Sequence, residues 1–252
     1  MMLNVVINAD DFGWDMSCSL AILEAYEKKY ITTTTMMSTG AFFDDAVKLV
    51  KESGLKDFVG IHFDLTEGYP LTSEIRKDPF FCGSNGAFHM HVNRYRPLSS
   101  KQKKCVYEEL NAQASRFIKT GLNIHHVDSH HHIHTAPFIY PILKKVMDAY
   151  GIKKVRISRN IGVMSVKKTV AKCFFNKFLI GKTNSYSNFL GSFDDFFEMK
   201  IEGKSGLVEI MCHPDYDVQG RLVDRCGDAP YDNPYGTELK DLLEVLNEKR
   251  ST

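Results

Sequence analysis

None of the six cysteines (Cys18, Cys82, Cys105, Cys173, Cys212 and Cys226) stands in a Cys-x-x-Cys pair. That excludes a zinc ribbon, a thioredoxin-like redox motif and a disulfide framework, and leaves reduced, mostly buried thiols as the expectation. Charge of one sign is lacking too: 32 basic against 31 acidic side chains give a net charge of +1. There is thus no electrostatic footprint for nucleic acid and no basic stripe for an anionic membrane, and a small neutral molecule is the expected partner. No apolar run is long enough to span a bilayer, and Met1 to Asn8 is too short for a signal peptide, so the expected location is the cytoplasm. Repeats and low-complexity tracts are absent, which excludes a solenoid or a disordered tail. A chain of 252 residues, 43% hydrophobic and 25% charged, has the composition of a globular α/β protein.

Periodicity supplies the elements. Leu3 to Asn8 is apolar and β-branched and breaks at Asp10-Asp11-Phe12-Gly13, before a helical pattern through Leu20, Ile22, Leu23 and Tyr26. Ile31 to Met37 reads as a second strand, Phe42 to Val50 as its helix, and Phe58 to Leu65 as a third strand. Ser99 to Thr120 is an amphipathic helix capped by Ser99 or Ser100 and ended by Gly121. Asn123 to Val127 and Lys154 to Ile157 are strand candidates on either side of a helix over Phe138 to Tyr150. Leu207 to Cys212 reads as a buried late strand and Thr237 to Lys249 as a terminal helix. Strand–helix alternation predicts a mostly parallel sheet, open or closed into a barrel, with the ligand site at the carboxyl ends of the strands. The segments Tyr69 to Arg96 and Gly162 to Phe196 interrupt the rhythm as long insertions beside that rim.

Six of the ten histidines fall within residues 125–134. Crowded imidazoles beside Asp128 indicate a metal or acid–base site. If residues 128–132 stay extended, Asp128, His130 and His132 share a side; if the chain turns helical, His130 and His134 pair. His130 belongs to both arrangements and ranks first as a ligand, with Asp128 orienting a histidine and His134 next in line. Asp10 and Asp11 bring two carboxylates to nearly one place, which requires a compensating cation or histidine. Asp11 could then bind a metal and Asp10 accept a proton from water. His62, flanked by apolar Ile61 and Phe63, falls on the same rim. So does His213 before Pro214, a reasonable general acid, while alternation points Cys212 away.

With Asn8-Ala9-Asp10-Asp11-Phe12-Gly13, Gly60-Ile61-His62-Phe63-Asp64-Leu65-Thr66-Glu67-Gly68, His126 to His134, and Glu209-Ile210-Met211-Cys212-His213-Pro214 in this order, the chain resembles the YdjC-like carbohydrate deacetylases, which include chitooligosaccharide deacetylases. The resemblance implies a distorted TIM-like (β/α) barrel in one domain over residues 1–252. It implies a divalent metal held by Asp11, His62 and His130, with Asp10 as base and His213 as acid, and hydrolysis of the N-acetyl group of an amino sugar. Magnesium is the ion associated with the family; two imidazoles and one carboxylate suit zinc as well. Trp14-Asp15 and the two insertions depart from the family pattern where the sugar pocket should form. The competing readings are a phosphoesterase on the same barrel, for which Arg156 and Arg159 are the candidate rim cations, and a metal- or carbohydrate-binding protein without turnover. A homodimer is compatible with a chain of this size.

Overall fold

The structure, a computed structural model, describes residues 3–90, 92–181, 184–200, 202–225 and 236–251. Six parallel strands form the main sheet: β1 (Leu3–Phe12), β2 (Thr33–Met37), β3 (Val59–Phe63), β4 (Val127–Ser129), β5 (Phe189–Gly191) and β6 (Gly206–Cys212), in the spatial order β4-β3-β2-β1-β6-β5. Helices α1 (Met16–Glu27), α2 (Phe43–Glu52), α3 (Ser73–Arg76), α4 (Ser100–Ile118), α5 (Tyr140–Ala149), α6 (Val166–Phe174) and α7 (Phe193–Glu198) intervene. Beyond β6, a small antiparallel sheet of β7 (Pro214–Tyr216), β8 (Leu222–Asp224) and β9 (Thr237–Glu238) leads into α8 (Leu239–Ser251).

The sheet is curled, and its edges approach each other through irregular pairings. Arg156 N–H donates to Val127 O at 2.8 Å beside β4, and Tyr186 N–H donates to Val155 O at 2.8 Å just before the chain enters β5. The segment expected as a strand over residues 154–157 thus contributes only single bridges at Val155, which is why the barrel is distorted. The expected strand over residues 123–127 begins instead at Val127.

Local chemistry explains the clearest elements. Ser99 Oγ accepts from Gln102 N–H at 3.2 Å and Gln102 Oε1 accepts from Ser99 N–H at 3.0 Å, a reciprocal cap that starts α4. Gly121, at φ +79°, takes the left-handed position that ends it. Every residue of β2 is buried, so its threonines need partners: Thr34 Oγ1 donates to Ala9 O and Thr33 Oγ1 to Asn8 Oδ1, both at 2.7 Å.

The insertions carry structure of their own. Residues 69–96 hold α3 and a Cys82–Phe88 bridge, and residues 162–196 hold α6, a π-helical turn over Phe175–Ile180, β5 and the start of α7. Cys18, Cys82 and Cys105 are buried free thiols, Cys212 is buried and Cys173 is exposed; Cys226 lies outside the described residues.

Candidate active site

The first strand does not stop before its aspartates. β1 runs through Asp10 and Asp11 to Phe12, with a register shift between Ala9 and Phe12 and Asp11 in the left-handed region at φ +68°. In a regular strand neighbouring side chains point to opposite faces. This bulge lets both carboxylates serve one site, a common use of such irregularities.

Asp11 faces two imidazoles. Its Oδ1 lies 2.8 Å from His130 Nδ1 and 3.0 Å from His62 Nε2. His62 is the penultimate residue of β3 and is 1% exposed. Its Nδ1 is committed to Asp128 Oδ1 at 2.7 Å, the orienting role expected of Asp128. The other nitrogen, Nε2, is buried and off the line needed for any hydrogen bond, although it faces Asp11. Burial alone would lower the pKa of His62, but Asp128 and Asp11 overcome it and push it up to about 10. Burial likewise works against charge on His130, and Asp11 and Glu67 hold its pKa well above the usual histidine value. Burial would raise the carboxyl of Asp11, and the two imidazoles hold it well below its usual range.

The negative charge of Asp11 is thus met by two imidazoles. A cation at the same place would replace the protons on the nitrogens facing Asp11, as metal ligation of imidazole requires. One donor atom from each of Asp11, His62 and His130 lies within 4.8 Å of the others, and the orphaned His62 nitrogen is aimed among them. Two imidazoles and a carboxylate are a standard set for a divalent ion with open positions, so the residues fit such a group.

Directly behind lies Arg156, fully buried. Its guanidinium donates to Asp10 through Nη1 and Nη2 at 2.5 and 2.7 Å and to Glu209 Oε1 through Nε at 2.7 Å. Nη1 also lies 2.8 Å from Asp128 Oδ2. Burial would raise the pKa of Asp10, and Arg156 reverses that, keeping it ionised far into acid. Burial pushes the carboxyl of Glu209 up to about 7 against the pull of Arg156. From sequence Arg156 is expected only as a rim cation for phosphate, whereas it is buried behind the site. Its position between Val155 and Ile157 was the available signal, since alternation turns it inward where the flanking residues face the helices. Arg159 is likewise paired, with Asp195.

The histidine run adopts neither expected geometry. It forms a 3-10 turn, His130–Thr135, in which His131 (φ +48°) and His132 (φ +52°) are left-handed. Arg94, from the first insertion, donates to the carbonyls of His131 and, at 3.4 Å, His132. The kink sends His134 away from Asp11: Ser129 Oγ sits 2.6 Å from its Nδ1 and Arg156 O 3.1 Å from its Nε2. His134 therefore does not join the ligand cluster. His132 is partly buried, and its Nδ1 is buried without a hydrogen-bond partner among the described residues. Two residues given no part in the site from sequence border His130: Trp14, expected only as a departure from the family pattern, stacks on it at 5.9 Å and 18° between planes, and Glu67, expected only within the second motif, brings Oε2 to 2.9 Å from its Nε2.

His213 leaves β6 and brings Nε2 to 3.9 Å from Asp11 Oδ2 and 4.0 Å from Asp10 Oδ2, with a third of its side chain exposed. The five side chains singled out from sequence, Asp10, Asp11, His62, His130 and His213, thus converge at the carboxyl ends of β1, β3, β4 and β6.

Comparison with known proteins gives the same frame. The chain is 31% identical over 243 residues to a carbohydrate deacetylase of Brevibacillus brevis, covering 95% of this chain and 91% of that protein. It is 32% identical over 247 residues to one of Vibrio cholerae, covering 97% and 88%. In fold it is similar to the crystal structure of a putative cellobiose-phosphate cleavage protein from Enterococcus faecalis, with a TM-score of 0.73 at 20% identity over 99% of this chain and 96% of the other. The YdjC-like protein family model matches residues 4–244, so the chain belongs to the YdjC-like family.

Proposed function

We propose that this protein is a metal-dependent hydrolase that removes N-acetyl groups from amino sugars, chitooligosaccharides or related N-acetylglucosamine-containing sugars, and releases acetate. The observation that carries the reading is the convergence of Asp11, His62 and His130 with Asp10 and His213 beside them. Relatives about 30% identical bear the name carbohydrate deacetylase. The metal ligands are Asp11, His62 and His130. When bound there, the divalent ion supplies Lewis acidity that polarises the acetyl carbonyl and stabilises negative charge on its oxygen. Magnesium is proposed from the family resemblance, with zinc, which the imidazole donors favour, as the alternative.

Asp10 accepts the proton of the attacking water. Arg156 grips both its oxygens, so the carboxylate is ionised and fixed in orientation, and geometry rather than high basicity makes it effective. His213, with Nε2 4.0 Å from Asp10 Oδ2 and a third of its side chain exposed, protonates the departing amine, without which the tetrahedral adduct would revert to amide. Neither Arg156 nor Arg159 is an unpaired cation, since each is committed to carboxylates. This disfavours the phosphoesterase reading. Screening acetate release over N-acetylated mono- and oligosaccharides with divalent metal added tests the proposal. Release of acetate from at least one amino sugar is expected; binding of sugars without release from any would establish a non-catalytic carbohydrate-binding protein instead.

A further inference from the structure

Both nitrogens of His130 face carboxylates. Nδ1 points to Asp11 and Nε2 to Glu67, at 2.8 and 2.9 Å. If Nδ1 is the metal ligand, its lone pair must be free, so the ring proton must reside on Nε2, and an acceptor at Nε2 decides whether that tautomer is held. Glu67 is the acceptor within reach. We infer that Glu67 is a positioning residue, which fixes the tautomer and ring angle of His130 through the Nε2–H bond and so tunes the metal site without touching the ion. The inference rests on the assignment of Asp11, His62 and His130 as the ligands.

Glu67 is built into place. Asp64 Oδ1 accepts from the backbone N–H of Thr66 at 2.8 Å and of Glu67 at 3.2 Å, tying the turn after β3. Gln113 of α4 brackets Asp64, donating to its carbonyl at 2.7 Å and accepting from its N–H at 2.9 Å. Trp14 lies over the ring of His130, leaving it little freedom to turn away. His62 shows the same arrangement, with Asp128 on the nitrogen that faces away from Asp11. The two histidines thus each carry a carboxylate behind them, one buried on Arg156 and one partly exposed at the start of the first insertion.

The test is titration of the intact metal-free protein with cobalt(II), reading affinity and the visible absorption spectrum, for the unaltered chain, Glu67→Gln and Glu67→Ala. Loss of an orienting partner of a metal-bound histidine typically weakens affinity by about 10–100-fold. Glu67→Ala is expected to fall in that range. Glu67→Gln, whose amide oxygen still accepts from Nε2–H, should recover most of the affinity and keep the cobalt spectrum. Thermal unfolding of each variant verifies that it folds. Equal affinity for Glu67→Ala and the unaltered chain would overturn the inference. A changed spectrum in Glu67→Gln would overturn it too, by making Glu67 a ligand. Absence of cobalt binding by the unaltered protein would overturn the ligand assignment along with it.

Discussion

Two groups of carboxylates meet at the carboxyl end of β1, one facing inward and one facing the rim, and they are neutralised in different ways. Inside, Asp10, Asp128 and Glu209 surround Arg156. The cation there is part of the chain, permanently charged and hydrogen-bonded in a fixed fork. At the rim, Asp11 and Glu67 face imidazoles, His62, His130 and His213 for Asp11 and His130 and His131 for Glu67, whose charge depends on a removable proton. The interior is a closed electrostatic unit that shapes and orients; the rim is an open one whose donor atoms could hold a metal. The difference gives a reason for two adjacent aspartates to divide their labour: Asp10 belongs to the built-in cation, and Asp11 faces the imidazoles that could hold a recruited one with it.

Breaking the interior should have the largest effect. Arg156→Met leaves three buried carboxylates without their cation, and removal of one partner from a buried ion pair costs about 3–5 kcal/mol. Urea unfolding should show a loss at least that large. Asp10→Asn leaves Arg156 with Asp128 and Glu209, so the chain should fold and still bind metal. Acetate release should fall by about 10²–10⁴-fold, the usual contribution of a positioned base. Turnover retained near the original rate would remove Asp10 from that role.

A smaller effect separates His134, a histidine that belongs to neither group. Burial, reinforced by Arg156, pushes the pKa of His134 down to about 3, so the unfolded chain takes up this proton more readily than the folded one. Its contribution to stability is lost as pH falls below about 6.5, at up to about 1.4 kcal/mol per pH unit. The stability difference between the unaltered protein and His134→Gln should therefore shrink between pH 6 and pH 4 in denaturant titrations. A difference independent of pH would show that His134 is not held neutral. The smallest effect lies far from both groups: Ser99→Ala removes the cap of α4 and should cost about 1 kcal/mol with activity unchanged.

Those elements whose signals are local could be read from the sequence. A serine cap at Ser99 or Ser100 and Gly121 bound α4, and the apolar run of β6 needed no tertiary information. The convergence of Asp10, Asp11, His62, His130 and His213 also followed, because parallel strands place their carboxyl ends on one rim whatever the details of the barrel. What escaped depended on backbone conformations without a sequence signature. Nothing in residues 130–134 announces two left-handed histidines in succession, and their kink is what separates His134 from His130. The bulge at Asp11 is equally silent. Near-zero net charge conceals Arg156, since a single buried guanidinium among three carboxylates is invisible to a sum over the chain.

The most direct measurement is equilibrium binding of a divalent ion to the metal-free protein, compared for the unaltered chain, His130→Ala and His134→Ala. One ion per chain is expected, with binding lost in His130→Ala and retained in His134→Ala. Binding that survives in His130→Ala, or disappears in His134→Ala alone, would contradict a centre built from Asp11, His62 and His130.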